Sequence, residues 1–455
     1  GPGMTIDRPL RFCMVTTFYP PYNFGGDGVF VHRLSNELAR RGHHVEVIHC
    51  QDSYRLLAGR EPAAAYDDHP NVTVHGLSAF GPPAGRRPAF IRRGFLSPLA
   101  TQQTGRPFFK IGRIQQILDT GFDVIHYHNI SLVGGPKVLE YGEGVKLYTM
   151  HEYWLVCPTH VLFKYNRVAC TNPHCFACSL VYKRPPQWWR YGGLLRSAVK
   201  NVDVFLATSL FSKDMHRQRG LDIPIVYQPY FVPEPDEEAL PPDNATHGAP
   251  HTRPYFLFVG RLNRLKGLHT LIPAFRNYPR ADLLIAGTGG DERALRRLAQ
   301  GSPNIRFLGL QRRSQLNTLY RHAVALIVPS VVYETFGQVI IEAFQHRTPA
   351  VVRRLGAMTE VTTHGGGLTY DTDEELRAAM DRLVSDKEYR NTLGDQGHAA
   401  YLREWTADAH IRRYFDLIDS IAQEKRSHRP EDTPPAFCRL ADRIRFRRNT
   451  HNGPG

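Results

Sequence analysis

No run of roughly 18 consecutive apolar residues occurs anywhere in the chain, so a membrane-spanning helix is not expected. Cysteine is sparse and odd in number, 7 in 455 residues, which argues against a framework built only of disulfides. Lysine is scarce too, with 10 against 47 arginines. The basic residues are spread along the sequence and not packed into one run, so a concentrated nucleic-acid-binding face is not expected despite a formal net charge of +14. No secretory leader follows the start; Gly1-Pro2-Gly3-Met4 reads as a tag remnant before a native methionine, and a cytoplasmic location is expected.

What is present fits a globular α/β enzyme. The hydrophobic fraction is 42% and the aromatic fraction 11%, over a length that suits two domains. Short apolar runs at residues 11–17, 44–50, 71–76, 123–128, 146–151 and 203–208 read as strands. Between the first two lies a helix with Phe30, Leu34 and Leu38 on one face, stopped by Arg40-Arg41-Gly42. The rhythm restarts at 255–260, 282–287, 304–309, 325–330 and 349–353. Strand–helix repetition of this kind implies parallel sheets with helices on both faces. The expected organisation is an acceptor domain over 1–228 with a Cys-rich insertion at 155–190, and a Pro- and acid-rich linker at 229–253. A donor domain follows over 254–405, then a helix at 406–424 returning to the first domain, and a basic tail at 425–455 with arginine runs such as 443–448.

The second half carries the sharper chemical signal. A buried strand ends at Gly260 and leads into Arg261 and Lys266 just before a helix, a corner able to neutralise a diphosphate. Further on, Glu334-Thr335-Phe336-Gly337 precedes an apolar helix that contains Glu342. A carboxylate among Ile340, Ile341 and Phe344 must reach a polar partner; a ribose diol offers two hydroxyl donors. Glu334 can face a sugar hydroxyl, and the Phe336 and Gly337 amides open the helix towards phosphate or sugar oxygens. In the first half, Gly25 and Gly26 open a helix where backbone can approach a ligand closely. His126 and His128 alternate at a strand end and therefore share a face; His151 and Glu152 end the next strand.

On these motifs the chain resembles family 4 of the retaining glycosyltransferases, with the GT-B architecture of two facing Rossmann-like domains. The Glu-x7-Glu pair, the Arg/Lys turn and Ala286-Gly287-Thr288-Gly289 occur in the family's order, and the likeness runs over roughly residues 10–420. The resemblance implies that Arg261 and Lys266 bind the donor diphosphate. It implies Glu342 on the ribose, Glu334 on the transferred sugar, the backbone at Gly309-Leu310 on the base, and the Gly25-Gly26 loop against phosphate and acceptor. It also implies that His128 contacts the transferred sugar, with His151 and Glu152 as acceptor-side candidates. The reaction would retain configuration, the departing phosphate assisting acceptor deprotonation, and no cofactor or metal is required at the diphosphate. A UDP-sugar is the default donor, with GDP- and ADP-sugars open; the acceptor is defined only as a free hydroxyl. A non-catalytic sugar-nucleotide- or glycan-binding protein on the same scaffold is the rival reading.

Cys157, Cys170, Cys175 and Cys178 fall within 22 residues. Four thiolates so spaced can close a tetrahedral zinc site that staples a lid over the acceptor. An iron–sulfur cluster, disulfides and free thiols are the other uses. A basic tail touching a membrane surface is a further partner call, set against a solvated tail.

Overall fold

The computed structural model describes residues 8–62, 66–79, 96–108, 110–235 and 250–427. Two parallel sheets organise it. The first holds β1 (Arg11–Val15), β2 (His44–Cys50), β3 (Val72–Leu77), β4 (Val124–Tyr127), β5 (Val145–Met150), β8 (Val204–Ala207) and β9 (Ile225–Tyr227) in the order β3-β2-β1-β4-β5-β8-β9. The second holds β10 (Tyr255–Val259), β11 (Asp282–Ala286), β12 (Ile305–Gly309), β13 (Ala325–Val328), β14 (Ala350–Arg353) and β15 (Gly367–Tyr370) in the order β12-β11-β10-β13-β14-β15. Within each, the chain winds outward from the first strand one way and then the other. That is the doubly wound, Rossmann-like order. Its reversal lies between β1 and β4 in one domain and between β10 and β13 in the other.

The central strands are mostly apolar because both faces are covered, with His126, Lys146 and Thr149 the polar exceptions in β4 and β5. Every residue of β4, β5, β8 and β13 is buried, as parallel sheets between helix layers require. The helix Gly26–Arg40 turns Phe30, Leu34 and Leu38 inward at 2%, 0% and 0% exposure. Gly42 just past its end takes φ +90°, the left-handed stop that the sequence suggests.

Several strands end a residue or more before the apolar runs do, and the residues just beyond them, such as Thr16, His128 and Ser330, stay buried. Three short pieces were not expected. β9 has only 3 residues at an edge, and β15 follows the Gly365-Gly366 turn, which reads as loop. A small hairpin, β6 (Phe163–Lys164) with β7 (Val168–Ala169), stands in the Cys-rich insertion. Most of the 229–253 linker lies outside the described residues, as does the tail beyond 427.

The helix Ala407–Ser427 lies on the first domain although the sequence places it after the second. Tyr414 stacks on Phe12 at 6.1 Å, Phe415 sets its edge to Phe12 at 6.0 Å, and Lys425 reaches Asp203 at 2.7 Å. Arg41 pairs with Asp408. The helix therefore ties chain end to chain start through buried aromatic surface. Replacing Phe415, which is 1% exposed, by alanine should cost about 3–5 kcal/mol in a denaturant titration. A loss under about 1 kcal/mol would mean that the helix is only loosely attached.

Candidate active site

Ligands of doubly wound sheets bind outside the carboxyl ends of the strands, where the strand order reverses. Both reversals open towards the same cleft, and most of the residues singled out above stand there. In the second domain, β10 ends at Gly260 and β11 at Gly287. A Cβ on Gly287, at φ +141°, would fall 1.9 Å from the Gly260 carbonyl oxygen. Gly287 N–H donates to the Gly309 carbonyl at 2.8 Å, so the ends of β10, β11 and β12 are drawn into one rim. Leu310 follows at 81% exposure, its backbone at the edge of that rim.

Arg261 and Lys266 leave β10 together. Asn263 caps the turn by accepting the Lys266 amide at 3.3 Å, and Gly267, at φ +77°, passes within a Cβ's reach of the Pro329 carbonyl. This contact fixes the Arg/Lys turn against the end of β13. Lys266 Nζ then lies 2.6 Å from Glu334 Oε1, which also accepts the Ser330 hydroxyl at 2.9 Å. Burial pushes the Glu334 carboxyl up, but the Lys266 ammonium and these two hydrogen bonds outweigh it and hold the group below its ordinary range. Arg261 sits over the Phe24 ring at 5.5 Å, where burial lowers its pKa and Asp27 only partly offsets that.

Glu342 is held differently from the ribose contact that the resemblance implies. Its Oε1 accepts Arg33 at 2.7 Å and Arg313 at 2.9 Å, and its Oε2 accepts the Tyr320 hydroxyl at 2.9 Å. Burial would raise this carboxyl; Arg313 and Arg33 bring it down to about 2. Arg33 comes from the helix Gly26–Arg40 of the first domain and also donates to Gln338 Oε1 at 3.1 Å. Gln338 in turn donates to the Gly26 carbonyl at 3.0 Å. A Cβ on Gly26 would stand 2.9 Å from the Gln338 amide nitrogen, so a larger residue there would displace that side chain. Thr335 closes the opposite side: its hydroxyl donates to the His151 carbonyl at 2.9 Å, and its own carbonyl accepts Thr208 at 3.0 Å. Phe336 is 2% exposed, wedged between Tyr230 and Trp405. Its side chain is packing, leaving its amide and that of Gly337 at the helix entrance.

In the first domain, the two strand-end histidines share a face, with rings stacked 4.0 Å apart. That face is covered. His128 is 1% exposed, 2.8 Å from His151 and 3.4 Å from the Met14 sulfur, and burial drives its imidazole strongly towards the neutral form. His151 lies 2.5 Å from the Tyr230 hydroxyl and falls to about 3 through burial. Phe30 packs over both rings, so His128 sits behind His151 and not on the open cleft. Glu152 is more open and pairs with His160 at 2.8 Å.

Asp27 escaped the sequence reading. Its Oδ1 accepts the Gly28 amide at 2.8 Å and its Oδ2 the Asn129 amide group at 3.2 Å. It thereby links the ends of β1 and β4 across the first reversal, and burial and then Glu152 raise its pKa. Arg33 was missed as well; a cation one position before the buried Leu34, inside the apolar stripe, was its only signal.

The four cysteines are free thiols. Among the described residues, no three His, Cys, Asp or Glu side chains are arranged to hold a metal ion. What fixes the insertion here is packing: Cys157, Cys170, Leu162 and Tyr153 form a small cluster against Phe211, Met215 and Tyr333. The Tyr165 amide donates to the Cys178 sulfur at 3.3 Å. Burial and then the neighbouring Cys157 and Cys170 raise the Cys175 thiol, which favours its protonated form.

Comparison with known proteins bears on this arrangement. The family model described as Glycosyltransferase Family 4 matches residues 24–234, and that described as Glycosyl transferases group 1 matches residues 241–399. The chain belongs to glycosyltransferase family 4. It is a glycosyltransferase of GT-B fold, with one family model over each domain. A lipopolysaccharide core biosynthesis glycosyltransferase of Rhizobium meliloti is 29% identical over 184 residues, 39% of this chain and about half of that relative, 53%. A glycogen synthase of Mycobacterium tuberculosis is 27% identical over 389 residues, 78% of this chain and 81% of its own. Among solved structures, sucrose-phosphate synthase from Thermosynechococcus elongatus superposes with a TM-score of 0.65 at 20% identity, over 91% of this chain and 100% of that one. An Anabaena protein in complex with UDP and glucose gives 0.60 at 16%, over 90% and 100%.

The Arg33–Glu342 pair generates a test within this family 4 glycosyltransferase. Arg33→Ala strips one guanidinium from a carboxylate that is 9% exposed, and should destabilise the fold by on the order of 3 kcal/mol in a denaturant titration. The pH dependence has a definite sign. Glu342 titrates below its ordinary 4.5, so its contribution is full above that value and disappears as pH falls towards about 2. Acid unfolding curves of Glu342→Gln should lack this part of the slope; identical curves for the variant and wild type would contradict the assignment.

Proposed function

We propose that this glycosyltransferase moves a sugar from a nucleoside diphosphate sugar, with a UDP-sugar favoured, to an acceptor hydroxyl with retention at the anomeric carbon. The observation that carries the reading is the corner where Arg261 and Lys266 leave β10 beside the helix Leu268–Phe275, with Lys266 2.6 Å from Glu334. Two cations and a helix N-terminus offer charge for the donor diphosphate without a metal. Glu334, kept ionised by Lys266, is an acceptor for hydroxyls of the transferred sugar. The rim at Gly287, Gly309 and Leu310 would take the base. For the ribose to reach Glu342, it must share a carboxylate already held by Arg33, Arg313 and Tyr320. Donor binding would then loosen or replace the Arg33 contact. The Anabaena protein's complex with UDP and glucose supports the choice of donor class.

Where the carboxylates are spent disfavours a covalent route to retention. Glu334 and Glu342 are both engaged by cations, which makes either a poor nucleophile. In the proposed step, the bond from the anomeric carbon to the phosphate oxygen breaks. The acceptor oxygen bonds to the same face, and its proton passes to the departing phosphate. Arg261 and Lys266 stabilise the charge on the nucleoside diphosphate that leaves. Asp27, Glu152 and the region of His151 form the acceptor side, through hydrogen bonds that orient a hydroxyl.

Thermal-shift measurements with UDP, GDP, ADP and their sugar conjugates test the donor. One nucleotide series should raise the melting temperature, the gain growing with the logarithm of ligand concentration over Kd. Lys266→Ala should lower turnover about 100-fold or more while the protein still folds. Unchanged kinetics would sink the Lys266 assignment, and no nucleotide response at all would favour the non-catalytic reading. The anomeric configuration of the first product, read by NMR, decides between retention and inversion.

A further inference from the structure

The insertion after β5 faces two ways. Its inner side belongs to the cleft: Tyr153, Cys157 and Leu162 pack with Phe211 and Tyr333. Its outer side exposes large apolar groups that a water-facing surface has no use for. Phe176, Leu180 and Val181, at 49%, 54% and 52% exposure, point outward from the helix Cys175–Val181, whose inner residues are Cys178 and Ser179. Trp188 and Tyr191 follow at 60% and 66%, with rings 6.4 Å apart. The neighbouring Trp189 is anchored by donating to the Gln102 carbonyl at 2.8 Å. That bond ties this aromatic turn to the helix Leu96–Thr104, on which Leu96 is also 53% exposed.

Charge says what such a surface would meet. Residues 153–202 contain no aspartate or glutamate, and they carry Lys164, Arg167, Lys183, Arg184, Arg190, Arg196 and Lys200. Of these, Arg167, Lys183, Arg196 and Lys200 are exposed. A second stretch of 50 residues without an acid, 69–118, contains the helix Leu96–Thr104 that Trp189 touches, and the two stretches together leave this side of the first domain short of negative charge. Exposed aliphatic side chains, a Trp/Tyr pair and unopposed cations are together the chemistry of a membrane interface: apolar groups enter the acyl boundary, aromatic rings sit at headgroup depth, and cations meet anionic lipid. An acidic protein partner would satisfy the cations but would not explain an apolar face with two large aromatics at its edge.

We propose that the outer face of residues 168–191 docks this glycosyltransferase on an anionic lipid bilayer, reversibly and without spanning it. The cleft then opens beside the membrane surface, since the same insertion lines it from within. The proposal stands apart from the donor assignment, and its test needs no turnover.

The full chain should co-sediment with vesicles of phosphatidylglycerol and phosphatidylcholine, and only weakly with phosphatidylcholine alone. The double variant Phe176→Ser/Leu180→Ser should weaken that binding by about tenfold or more, with melting temperature and nucleotide response unchanged. Should that variant fold poorly, wild-type protein on vesicles with brominated acyl chains gives a second reading. Its tryptophan emission should be quenched, and Trp188→Phe should lose most of the quenching. Failure to bind anionic vesicles, equal binding by the double variant, unchanged quenching in Trp188→Phe, or retention of an RNA oligonucleotide in place of vesicles would each overturn the proposal.

Discussion

A carboxylate buried between two domains must be matched by charge, and Glu342 sets the terms for the cleft. It lies in a helix of apolar neighbours, where an unpaired negative charge would be costly. Arg313 and Tyr320 come from its own domain, but Arg33 comes from the other. The match therefore determines how the helices Gly26–Arg40 and Gln338–Gln345 face each other. Gln338 against the Gly26 carbonyl repeats the contact a turn away. Glu360 does the same at the far side, accepting the Leu210 and Phe211 amides at 2.9 and 3.0 Å and so capping a first-domain helix from the second domain.

These polar bridges hold the two strand-order reversals opposite each other. That placement brings Asp27 and Asn129, from the ends of the first sheet, towards Arg261, Lys266 and Glu334 from the ends of the second. The helix Ala407–Ser427 adds an apolar tie by carrying the chain back onto β1 through Tyr414 and Phe415. The cleft is then bounded by polar contacts that can exchange with a ligand and backed by aromatic contacts that cannot. Such a division suits an enzyme that must admit a charged donor and release a charged product.

The buried histidines show how burial changes a residue's meaning. His126, His128 and His151 stand in one stacked column, reaching from Tyr414 to Tyr230. Desolvation keeps all three neutral. Neutral imidazoles can donate and accept at once, so the column satisfies its members while joining the returning helix to the cleft wall. The strand alternation that placed His126 and His128 on one face says nothing about whether that face meets solvent.

Local pattern by itself determined a great deal here. Apolar runs of strand length, the helical stripe at Phe30, Leu34 and Leu38, and the glycine after Arg41 sufficed for two Rossmann-like domains, because periodicity and stops are encoded by near neighbours. The Arg261/Lys266 turn and the Glu334/Glu342 pair were legible for the same reason: each is a charged group in a short segment that otherwise demands apolar or tight-turn residues. Only the tertiary structure decided which partners those charges take. Arg33 meets Glu342 from 309 residues away, His128 retreats behind His151 and Phe30, and Cys157 and Cys170 pack in a small apolar cluster. The physical reason is that pairing and burial depend on what other segments bring to the same place, and nothing in a residue's own neighbourhood along the chain records that.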